Sequence, residues 1–410
     1  MARDNAIKAI FRTLGCRNFR LFFFGEGISL IGTWIQRIAL PWLVYQRSGS
    51  TLLLGLVVFA GLAPSFIIAP VAGVLIDRWN RYRIVMATQI LSLIQALMLA
   101  YCCYTENISV GIIILLNVFL GVINAFEMPA RQAFLPELIG DKTNYCNAMA
   151  INSTIVNSAR LIGPSIAGII ITYSGEALCF LINGMSYIAV IASLVMMKTI
   201  STSKRTKNTG LFREMKEGFA YAFGFQPVKN VLLLYGLVCL SGWPYTVLMP
   251  VIARDLLRGD AHTFSMLMMA SGAGALIGAI FLGSKKNNSG MDIVIAFTTA
   301  LFGIGIIALS FSRNLILSMV VAAVIGACMM MLMAATISFI QTIIEESKRG
   351  RIMSCYTMIF TGAATVGSYL AGVLSAKLGT PHTLFLGGLL CVIGAFAFMA
   401  RRIDSYEIVE

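Results

Sequence analysis

Long apolar segments separated by short polar stretches run along the whole chain. Each apolar segment holds about 20 residues or more, which is the length that a helix needs to cross a bilayer core. Backbone groups within lipid must satisfy one another, so helices are expected there rather than irregular chain. The sequence therefore predicts an all-α membrane protein with twelve transmembrane helices, near residues 19–46, 52–76, 84–104, 109–128, 145–173, 178–197, 229–254, 263–284, 291–312, 315–340, 352–376 and 383–400.

Composition agrees with this pattern. The 410 residues are 58% hydrophobic and 12% charged, whereas soluble domains carry about 25% charged residues. The deficit of charge extends along the chain, which excludes a soluble protein with a single anchor. No polar segment is long enough for a catalytic domain, and the sequence contains no nucleotide-binding loop, catalytic triad or cluster of metal ligands. We therefore expect no enzyme activity, no metal and no cofactor.

The net charge of +13 is explained by where the basic residues lie. With the N-terminus in the cytoplasm, 24 of the 31 Lys and Arg residues fall in inner segments, five in outer loops and two within the membrane. This distribution follows the positive-inside rule. We therefore expect a multi-pass protein of the cell (inner) membrane with both termini in the cytoplasm and no nucleic-acid partner.

The longest polar stretch, 198–230, divides the chain. It begins with the flexible sequence TISTSKRTKNTG, and apolar residues at helical spacing follow. Such spacing indicates an amphipathic helix on the inner membrane face. We predict an N-terminal six-helix bundle over 1–198, a cytoplasmic linker with an amphipathic helix over 199–228, and a C-terminal six-helix bundle over 229–410.

The two halves match each other at constant offsets. An offset of 209 residues pairs Trp34 with Trp243, and likewise pairs Gly27 with Gly236 and Pro41 with Pro250. An offset of 204 residues pairs four later glycines, which are Gly163, Gly168, Gly175 and Gly184, with Gly367, Gly372, Gly379 and Gly388. Two parallel six-helix repeats indicate a transporter with its substrate site at the interface of the repeats.

The stretch 73–83, GVLIDRWNRYR, lies between the second and third apolar segments. Its Gly73, Asp77, Arg78 and Arg81 match the loop motif G-x-x-x-D-R-x-G-R-K of the major facilitator superfamily, which the whole chain resembles in its twelve helices and parallel halves. Asn80 stands where the motif has glycine. This change is tolerable because Asn also adopts left-handed backbone.

Two further stretches resemble exporters of that superfamily. Residues 163–168, GPSIAG, are similar to the exporter motif G-P-x-x-G-G of the fifth helix, with Ala167 in place of a glycine. Residues 125–136 resemble the subfamily that holds macrolide-type drug exporters and the enterobactin exporter. The resemblance implies export of a small molecule. Asn117 stands where the superfamily's fourth helix carries an arginine linked with proton coupling, so that role is not carried over.

Helix 1 is expected to line the substrate pathway with Glu26, Thr33, Gln36 and Arg37. Glu26 and Arg37 are about three helical turns apart and share a face. A charge near mid-bilayer costs at least roughly 2.5–3.5 kcal/mol, so each must face a cavity or a partner. A buried structural pair is the alternative. Glu26 is also the candidate for proton coupling, because apolar surroundings favour the protonated form of a carboxyl group.

Helices 4, 5 and 7 supply the other pathway candidates. Asn157 and Arg160 lie on one stripe of helix 5, where Arg160 needs a carboxylate, a cavity or a substrate anion. Asn124 on helix 4 is a polar candidate that a hydrogen bond between helices explains equally well. Helix 7, the repeat mate of helix 1, has aromatic residues instead of charges, which are Tyr235, Trp243 and Tyr245.

The loop residues Gly73, Asp77, Arg78 and Arg81 are interpreted as a latch that closes the inner face. The second repeat has Lys286 at the position of Asp77, so the acid is retained in one copy only. A need for membrane anchoring would apply to both copies. Anchoring is nevertheless the alternative interpretation of this loop.

Two further groups of residues are expected to act in gating. Glu127 and Arg131 lie four residues apart near the cytoplasmic end of helix 4 and are interpreted as a gate pair, with a solvated helix end as the alternative. Gly163, Pro164 and Gly168 are expected to give a bend or tight helix contact in the first repeat only, because Ser368 replaces the proline in the second. Simple close packing is the alternative.

Together these features predict a secondary active transporter. It is expected to export an amphipathic organic molecule, such as a drug or a siderophore, by alternating access, with a proton gradient as energy source if Glu26 carries the proton. Uptake of a metabolite or siderophore, and movement of lysolipid between leaflets, are the alternatives. The expected partners are the small molecule and the lipid bilayer, and the expected functional unit is a monomer.

Overall fold

A computed structural model describes residues 15–139, 145–197, 220–284 and 290–407, apart from some side chains within them. In these four ranges there are twelve helices long and apolar enough to cross a membrane, and no strand. The predicted all-α membrane fold is confirmed. The helices are α1 (Arg17–Ser48), α2 (Thr51–Arg78), α3 (Arg81–Tyr104), α4 (Val110–Ile139), α5 (Tyr145–Ser174), α6 (Glu176–Val195), α7 (Gln226–Leu256), α8 (Ala261–Gly283), α9 (Met291–Phe311), α10 (Leu315–Ile343), α11 (Glu346–Leu378) and α12 (Thr380–Glu407).

The chain divides into two compact units. The first is Met1–Leu43 with Ala60–Lys207, and the second is Val44–Phe59 with Asn208–Glu410. The carboxyl end of α1 and the amino end of α2 therefore belong to the second unit, although the repeat pattern assigns them to the first half. The predicted linker falls mainly on residues outside the described ranges, and its described end, 220–224, is helical.

The first unit is held together at one end by a cluster of buried apolar residues to which each of its six helices contributes. Side chains from the starts of α1, α3 and α5 meet side chains from the ends of α2, α4 and α6, as successive antiparallel helices require. Helices in a membrane associate through such van der Waals packing. The cluster consists of Phe19, Phe22, Ala72, Ile76, Ile84, Val85, Ala130, Phe134, Leu135, Leu138, Ala148, Ile151, Val190 and Leu194.

The second unit uses glycines to bring helices into backbone contact. A Cβ atom on Gly274 of α8 would lie 1.8 Å from the carbonyl oxygen of Ala323 in α10. A Cβ atom on Gly326 of α10 would lie 2.0 Å from the carbonyl oxygen of Ser271 in α8. Because neither side chain could fit, these glycines set the close approach of the two helices.

Helix α7 is interrupted where its repeat mate α1 is regular. The Trp243 N–H donates to the carbonyl oxygen of Val238 at 2.9 Å, which spans five residues and marks a π-turn over Val238–Gly242. A second π-turn covers Ile252–Leu256. Pro244 has no N–H and cannot continue the α-helical bonds. The first π-turn therefore places Trp243 at a break in the helix.

The sequence repeat is present in the helix packing of each unit. In the first unit, a Cβ atom on Gly163 would lie 3.3 Å from the carbonyl oxygen of Ile31. In the second unit, a Cβ atom on Gly367 would lie 2.3 Å from the carbonyl oxygen of Leu240. Gly163 and Gly367 are 204 residues apart, and Ile31 and Leu240 are 209 residues apart. Equivalent glycines therefore meet equivalent carbonyl groups.

The segment Val44–Phe59 is bound within the second unit by polar contacts. The Tyr45 hydroxyl donates to Asp255 Oδ2, and Arg254 Nη1 donates to the carbonyl oxygen of Tyr45 at 3.2 Å. The Thr51 hydroxyl donates to the carbonyl oxygen of Gly372 at 3.2 Å. These bonds tie the connection between α1 and α2 to α7 and α11.

Candidate functional site

An ion-pair group joins α1 and α4 within the first unit. Arg131 Nη1 donates to Glu26 Oε1, and Arg131 Nε lies 3.5 Å from Glu127 Oε1. The Glu26 side chain is only 4% exposed, so its charge has been removed almost entirely from water. Glu127 and Arg131 face each other because they lie four residues apart on one helix. The predicted pair on α4 therefore has a third member on α1.

Two arginines lie against one indole ring in the same unit. The guanidinium carbon of Arg37 is 5.1 Å from the centre of the Trp34 ring, and that of Arg160 is 5.6 Å from it. These distances are those of cation–π contacts. Trp34 and Arg37 lie three residues apart on α1, and Arg160 comes from α5. We call these three residues the Trp34 site.

The remaining polar candidates of α1 belong to a buried network. Gln36 Nε2 donates to Gln95 Oε1 at 3.3 Å, and Asn183 Nδ2 donates to Gln36 Oε1 at 2.8 Å. The Tyr187 hydroxyl has hydrogen-bonding contacts with Thr33. Gln36 is 4% exposed, so its amide joins α1 to α3 and α6. These contacts give the Gln36 amide partners on two neighbouring helices, as a buried amide requires.

The two asparagine candidates lie apart from both groups. Asn157 is buried on α5 and its Nδ2 atom donates to the carbonyl oxygen of Ser153 at 2.9 Å, within its own helix. Asn124 is half-buried on α4, almost one turn before Glu127. The Asn157 amide nitrogen thus bonds within its own helix, and Asn124 lies on the same helix as Glu127 and Arg131.

The second unit brings two of its aromatic candidates together. The Tyr356 hydroxyl donates to the Tyr235 hydroxyl at 2.8 Å, and the two rings stack with centroids 4.6 Å apart. Phe360 stacks on Tyr235 and meets Trp243 edge to face at 5.1 Å. Tyr235 and Trp243 of α7 are therefore joined through residues of α11 that the sequence did not single out.

Tyr245 points elsewhere. Its hydroxyl lies 3.0 Å from the Ser271 hydroxyl on α8, and its ring meets Phe302 of α9 edge to face. The side chain is 3% exposed. Tyr245 therefore packs α7 against α8 and α9, whereas Trp243 meets Phe360 of α11. Its role as a pathway residue stays a prediction.

The loop motif is ordered by polar bonds at the start of α3. Arg81 Nη1 lies 2.7 Å from Glu137 Oε1 and 3.2 Å from the carbonyl oxygen of Ala133, both on α4. Asn80 has φ −71° and ψ 112°, and its side chain accepts a hydrogen bond from the Arg83 N–H at 3.2 Å. Asn80 is thus an N-cap of α3, and the left-handed backbone invoked for it is not used.

The other residues of this motif are less constrained. A Cβ atom on Gly73 would meet nothing within 4 Å, and Arg78 is exposed. The side chain of Asp77 lies outside what the structure describes. The interpretation of the motif as a latch stays a prediction, and the contact that the structure adds is the pair of Arg81 with Glu137.

We expect Arg81→Ala to lower stability through loss of its contact with Glu137. A double-mutant cycle of Arg81→Ala and Glu137→Ala, measured by thermal unfolding in detergent, should give a coupling of about 0.5–1 kcal/mol, since the pair is partly exposed. Arg83→Ala is the matched control, because Arg83 lies on the same turn and is exposed. Additive effects of the two alanine variants would show that the pair contributes nothing.

The glycine and proline candidates of α5 lie at its contact with α1. A Cβ atom on Gly163 would lie 2.4 Å from Trp34 Cβ, and Pro164 and Gly168 are buried beside it. The prediction of a tight contact in the first repeat only was wrong, because Gly367 makes the equivalent contact in the second repeat without a proline. The glycine alone allows the close approach.

Several residues of the site that the sequence analysis did not predict nevertheless lie at helical spacings that indicate a contact. Trp34 precedes Arg37 by three residues, which is helical spacing for contact. On α3, polar residues recur every three positions in an otherwise apolar helix, which are Gln89, Ser92 and Gln95. Glu137 and Phe360 have no such signal, since only the packing of helices shows their partners.

Similar proteins are named as transporters. The chain is 26% identical over 388 residues to the staphyloferrin A transporter of Staphylococcus aureus (strain NCTC 8325 / PS 47), covering 94% of this chain and 96% of that protein. It is 23% identical over 385 residues to macrolide efflux protein A of Streptococcus pyogenes, covering 92% and 94%. It is 24% identical over 398 residues to the multidrug efflux pump Tap of Mycolicibacterium fortuitum, covering 94% and 96%.

Solved structures of transporters share the fold. The nucleoside transporter NupG aligns with a TM-score of 0.75 at 13% identity, covering 95% of this chain and 99% of that one. A bacterial homologue of the iron transporter ferroportin aligns with a TM-score of 0.71 at 13% identity, covering 94% and 98%. At this level of identity the likeness shows the fold alone.

The family model described as transmembrane secretion effector matches residues 9–410, which is nearly the whole chain. This match agrees with the twelve membrane helices, the two repeats and the loop motif. The chain therefore belongs to the transmembrane secretion effectors, a family of major facilitator superfamily transporters, and is a multi-pass membrane protein.

Proposed function

We propose that this protein is a secondary active transporter that exports an amphipathic organic molecule, a drug or a siderophore, by alternating access. The observation that carries the proposal is the gathering of charged side chains from α1, α4 and α5 in the membrane-spanning part of the first unit. Charges in such a place are costly, and they mark substrate or ion pathways. Trp243 and Phe360 are half-buried and supply apolar surface in the second unit, and the buried Tyr235 packs behind Phe360.

The relatives support the direction and the kind of substrate. Two of them are named for efflux, one of macrolides and one of several drugs, and another is named for the siderophore staphyloferrin A. A siderophore and a drug are both organic molecules of moderate size. We infer from these names that the substrate of this chain is of that kind and that it moves outwards.

Accumulation of candidate compounds in a strain that lacks the gene tests this proposal. We expect the strain to retain more of a macrolide, of staphyloferrin A or of a related organic compound than the parent strain does. Reintroducing the gene should restore the lower level. Equal levels of every compound in both strains would contradict export.

Glu26 is the proposed carrier of a coupled proton. A carboxyl group at this position can exchange its bond with Arg131 for a proton, whereas an amide cannot be titrated. We expect Glu26→Gln to abolish transport driven by a pH gradient in proteoliposomes while leaving counterflow of substrate intact. Glu127→Gln is the matched control, because it removes the other carboxylate that lies close to Arg131. Full pH-driven transport by Glu26→Gln would exclude this role.

Uptake is the second candidate function, since the name of the staphyloferrin A relative states a substrate and no direction.

We place the protein in the cell (inner) membrane with both termini in the cytoplasm, on the distribution of its basic residues. A single chain contains both repeats, so we propose that the monomer is the functional unit. Movement of lysolipid is distinguished by the same accumulation assay with a labelled lysolipid.

A further inference from the structure

We propose that the first unit binds an anionic phospholipid on the surface where α6 ends between the starts of α1 and α3. Three arginines, Arg17, Arg20 and Arg83, form the headgroup site, and the exposed apolar face of α6 receives the acyl chains. We call these three residues the arginine triad. The inference concerns neither the transported molecule nor its direction, and only the leaflet, the cytoplasmic one, rests on the proposed orientation of the chain.

Helix α6 lies between α1 and α3. A Cβ atom on Gly25 of α1 would lie 2.9 Å from the carbonyl oxygen of Ala189 in α6, and a Cβ atom on Gly184 of α6 would lie 3.0 Å from Leu97 Cδ2 of α3. Ala189 and Gly184 are five residues apart and lie on different faces of α6, so the two neighbours flank it. The face left between them carries exposed apolar side chains, which are Met185, Ile188 and Val195.

Each flanking helix carries an arginine at the inner end of its own exposed apolar stripe. Arg20 of α1 lies one turn before Phe24, and both are exposed. Arg83 of α3 lies two turns before Ile90, and both are exposed. Exposed apolar side chains of a membrane-spanning helix face lipid, and an arginine at the end of such a stripe extends its guanidinium to the headgroup level. Both arginines therefore reach the membrane surface on the lipid side of the unit.

Direct contacts bring the triad to the last turn of α6. Arg17 Nη2 lies 3.5 Å from the carbonyl oxygen of Met196. On the other side, the hydroxyl of Tyr82, the residue before Arg83, donates to the carbonyl oxygen of Leu194 at 3.1 Å. The starts of α1 and α3 thus reach the same helix end from opposite sides, and the apolar face of α6 begins between them.

The charge of this surface is positive and lies at the depth of lipid headgroups. All three members of the triad are exposed, and no carboxylate in the four described ranges forms an ion pair with any of them. Trp79, two residues before the start of α3, is exposed, and indole rings favour the membrane interface. Clusters of basic residues between membrane helices on the cytoplasmic side bind anionic lipid headgroups. A phospholipid with a net negative charge therefore fits this surface.

The second repeat separates this arrangement from a general excess of positive charge. At the offset of 209 residues, Gln226, Lys229 and Asp292 stand where the first repeat has the triad. One position is thus neutral, one is positive and one is acidic. A general need for basic residues at the inner membrane face would apply to both repeats. Three arginines in one copy only indicate a specific headgroup site.

Native mass spectrometry of the full-length protein in detergent tests the site, with phosphatidylglycerol as the anionic lipid and phosphatidylcholine as the zwitterionic one. We expect the wild type to bind phosphatidylglycerol more tightly than phosphatidylcholine. Each change of a triad arginine to Gln should weaken phosphatidylglycerol binding about fivefold, and the triple variant about 100-fold, because each basic residue near an anionic headgroup contributes a similar increment. Phosphatidylcholine binding should not change.

Two controls separate headgroup binding from folding and from surface charge in general. Lys229→Gln removes the positive charge that corresponds to Arg20 in the second repeat and should leave phosphatidylglycerol binding unchanged. The triple change of the triad to Lys keeps the charge and should bind phosphatidylglycerol more tightly than the triple Gln variant. In detergent without lipid, the triple Gln variant should unfold near the wild-type temperature, because its altered side chains are exposed.

Four results would overturn the inference. Equal phosphatidylglycerol affinity of the wild type and the triple Gln variant would remove the triad from the site. Equal affinity of the wild type for the two lipids would exclude selection of an anion. The same loss in Lys229→Gln as in Arg20→Gln would show that any surface charge suffices. Displacement of phosphatidylglycerol by soluble glycerol 3-phosphate would assign the triad to a free phosphate compound.

Discussion

Arg131→Gln is expected to destabilise the first unit by about 3–5 kcal/mol and to abolish transport, because it leaves Glu26 buried without its cation. Glu26 is only 4% exposed, and Glu127 lies close to the same arginine. Without Arg131, two carboxylates would lose the cation that they share, and the carboxylate of Glu26 is buried from water. The loss should appear as a lower unfolding temperature in detergent and as unchanged substrate levels when the variant is expressed in the strain lacking the gene.

The double variant Glu26→Gln/Arg131→Gln separates the loss of stability from the loss of transport. Removal of both charges leaves two amides that can bond to each other, so most of the stability should return. Transport should not return, because the titratable group is gone. Equal instability of the double variant and Arg131→Gln would show that the arginine stabilises the fold through contacts other than the one with Glu26.

Gly163→Ala is expected to reduce transport by about tenfold or more and stability by about 1–3 kcal/mol. The added methyl group would lie 2.4 Å from Trp34 Cβ, so α1 and α5 must separate or the indole must move. Either change displaces the ring on which Arg37 and Arg160 rest. Substrate accumulation measures the loss of transport, and thermal unfolding measures the loss of stability, in the same variant.

Gly27→Ala is the matched control for Gly163→Ala. Gly27 lies on α1 and also faces α5, but a Cβ atom there would be 3.7 Å from the nearest atom, Ile155 Cγ2. The added methyl group makes an ordinary van der Waals contact, so stability and transport should stay near the wild-type level. A similar loss in both variants would mean that any added methyl group between α1 and α5 is harmful and that contact with Trp34 is not the cause.

The fold could be predicted because its causes are local and repeated. Each apolar segment of about 20 residues has only one way to satisfy its backbone in lipid, and the matched Trp and Pro positions report the repeat without knowledge of contacts. The boundaries of the two compact units were harder to predict than the helices. Val44–Phe59 belongs to the second unit through Tyr45, Asp255 and Thr51, and no pattern along the chain shows that such distant residues meet.

The candidate site was predicted in part. A charged side chain in a membrane helix needs a cavity or a partner, because its transfer into lipid costs free energy. Glu26, Arg37 and Arg160 could therefore be named as candidate site residues from the sequence. Their partners could not, because Arg131 reaches Glu26 only through the packing of α1 on α4. The different partners of Trp243 and Tyr245 could likewise not be predicted, because only the packing of α7 on α11 and α9 shows that they meet Phe360 and Phe302.

Transport in membrane vesicles of known orientation tests export most directly. The compound retained by the strain lacking the gene is added to inside-out and right-side-out vesicles under the same imposed pH gradient. We predict accumulation in inside-out vesicles, whose cytoplasmic face meets the medium, and none above the control without the protein in right-side-out vesicles. Accumulation in right-side-out vesicles alone would contradict export and establish uptake.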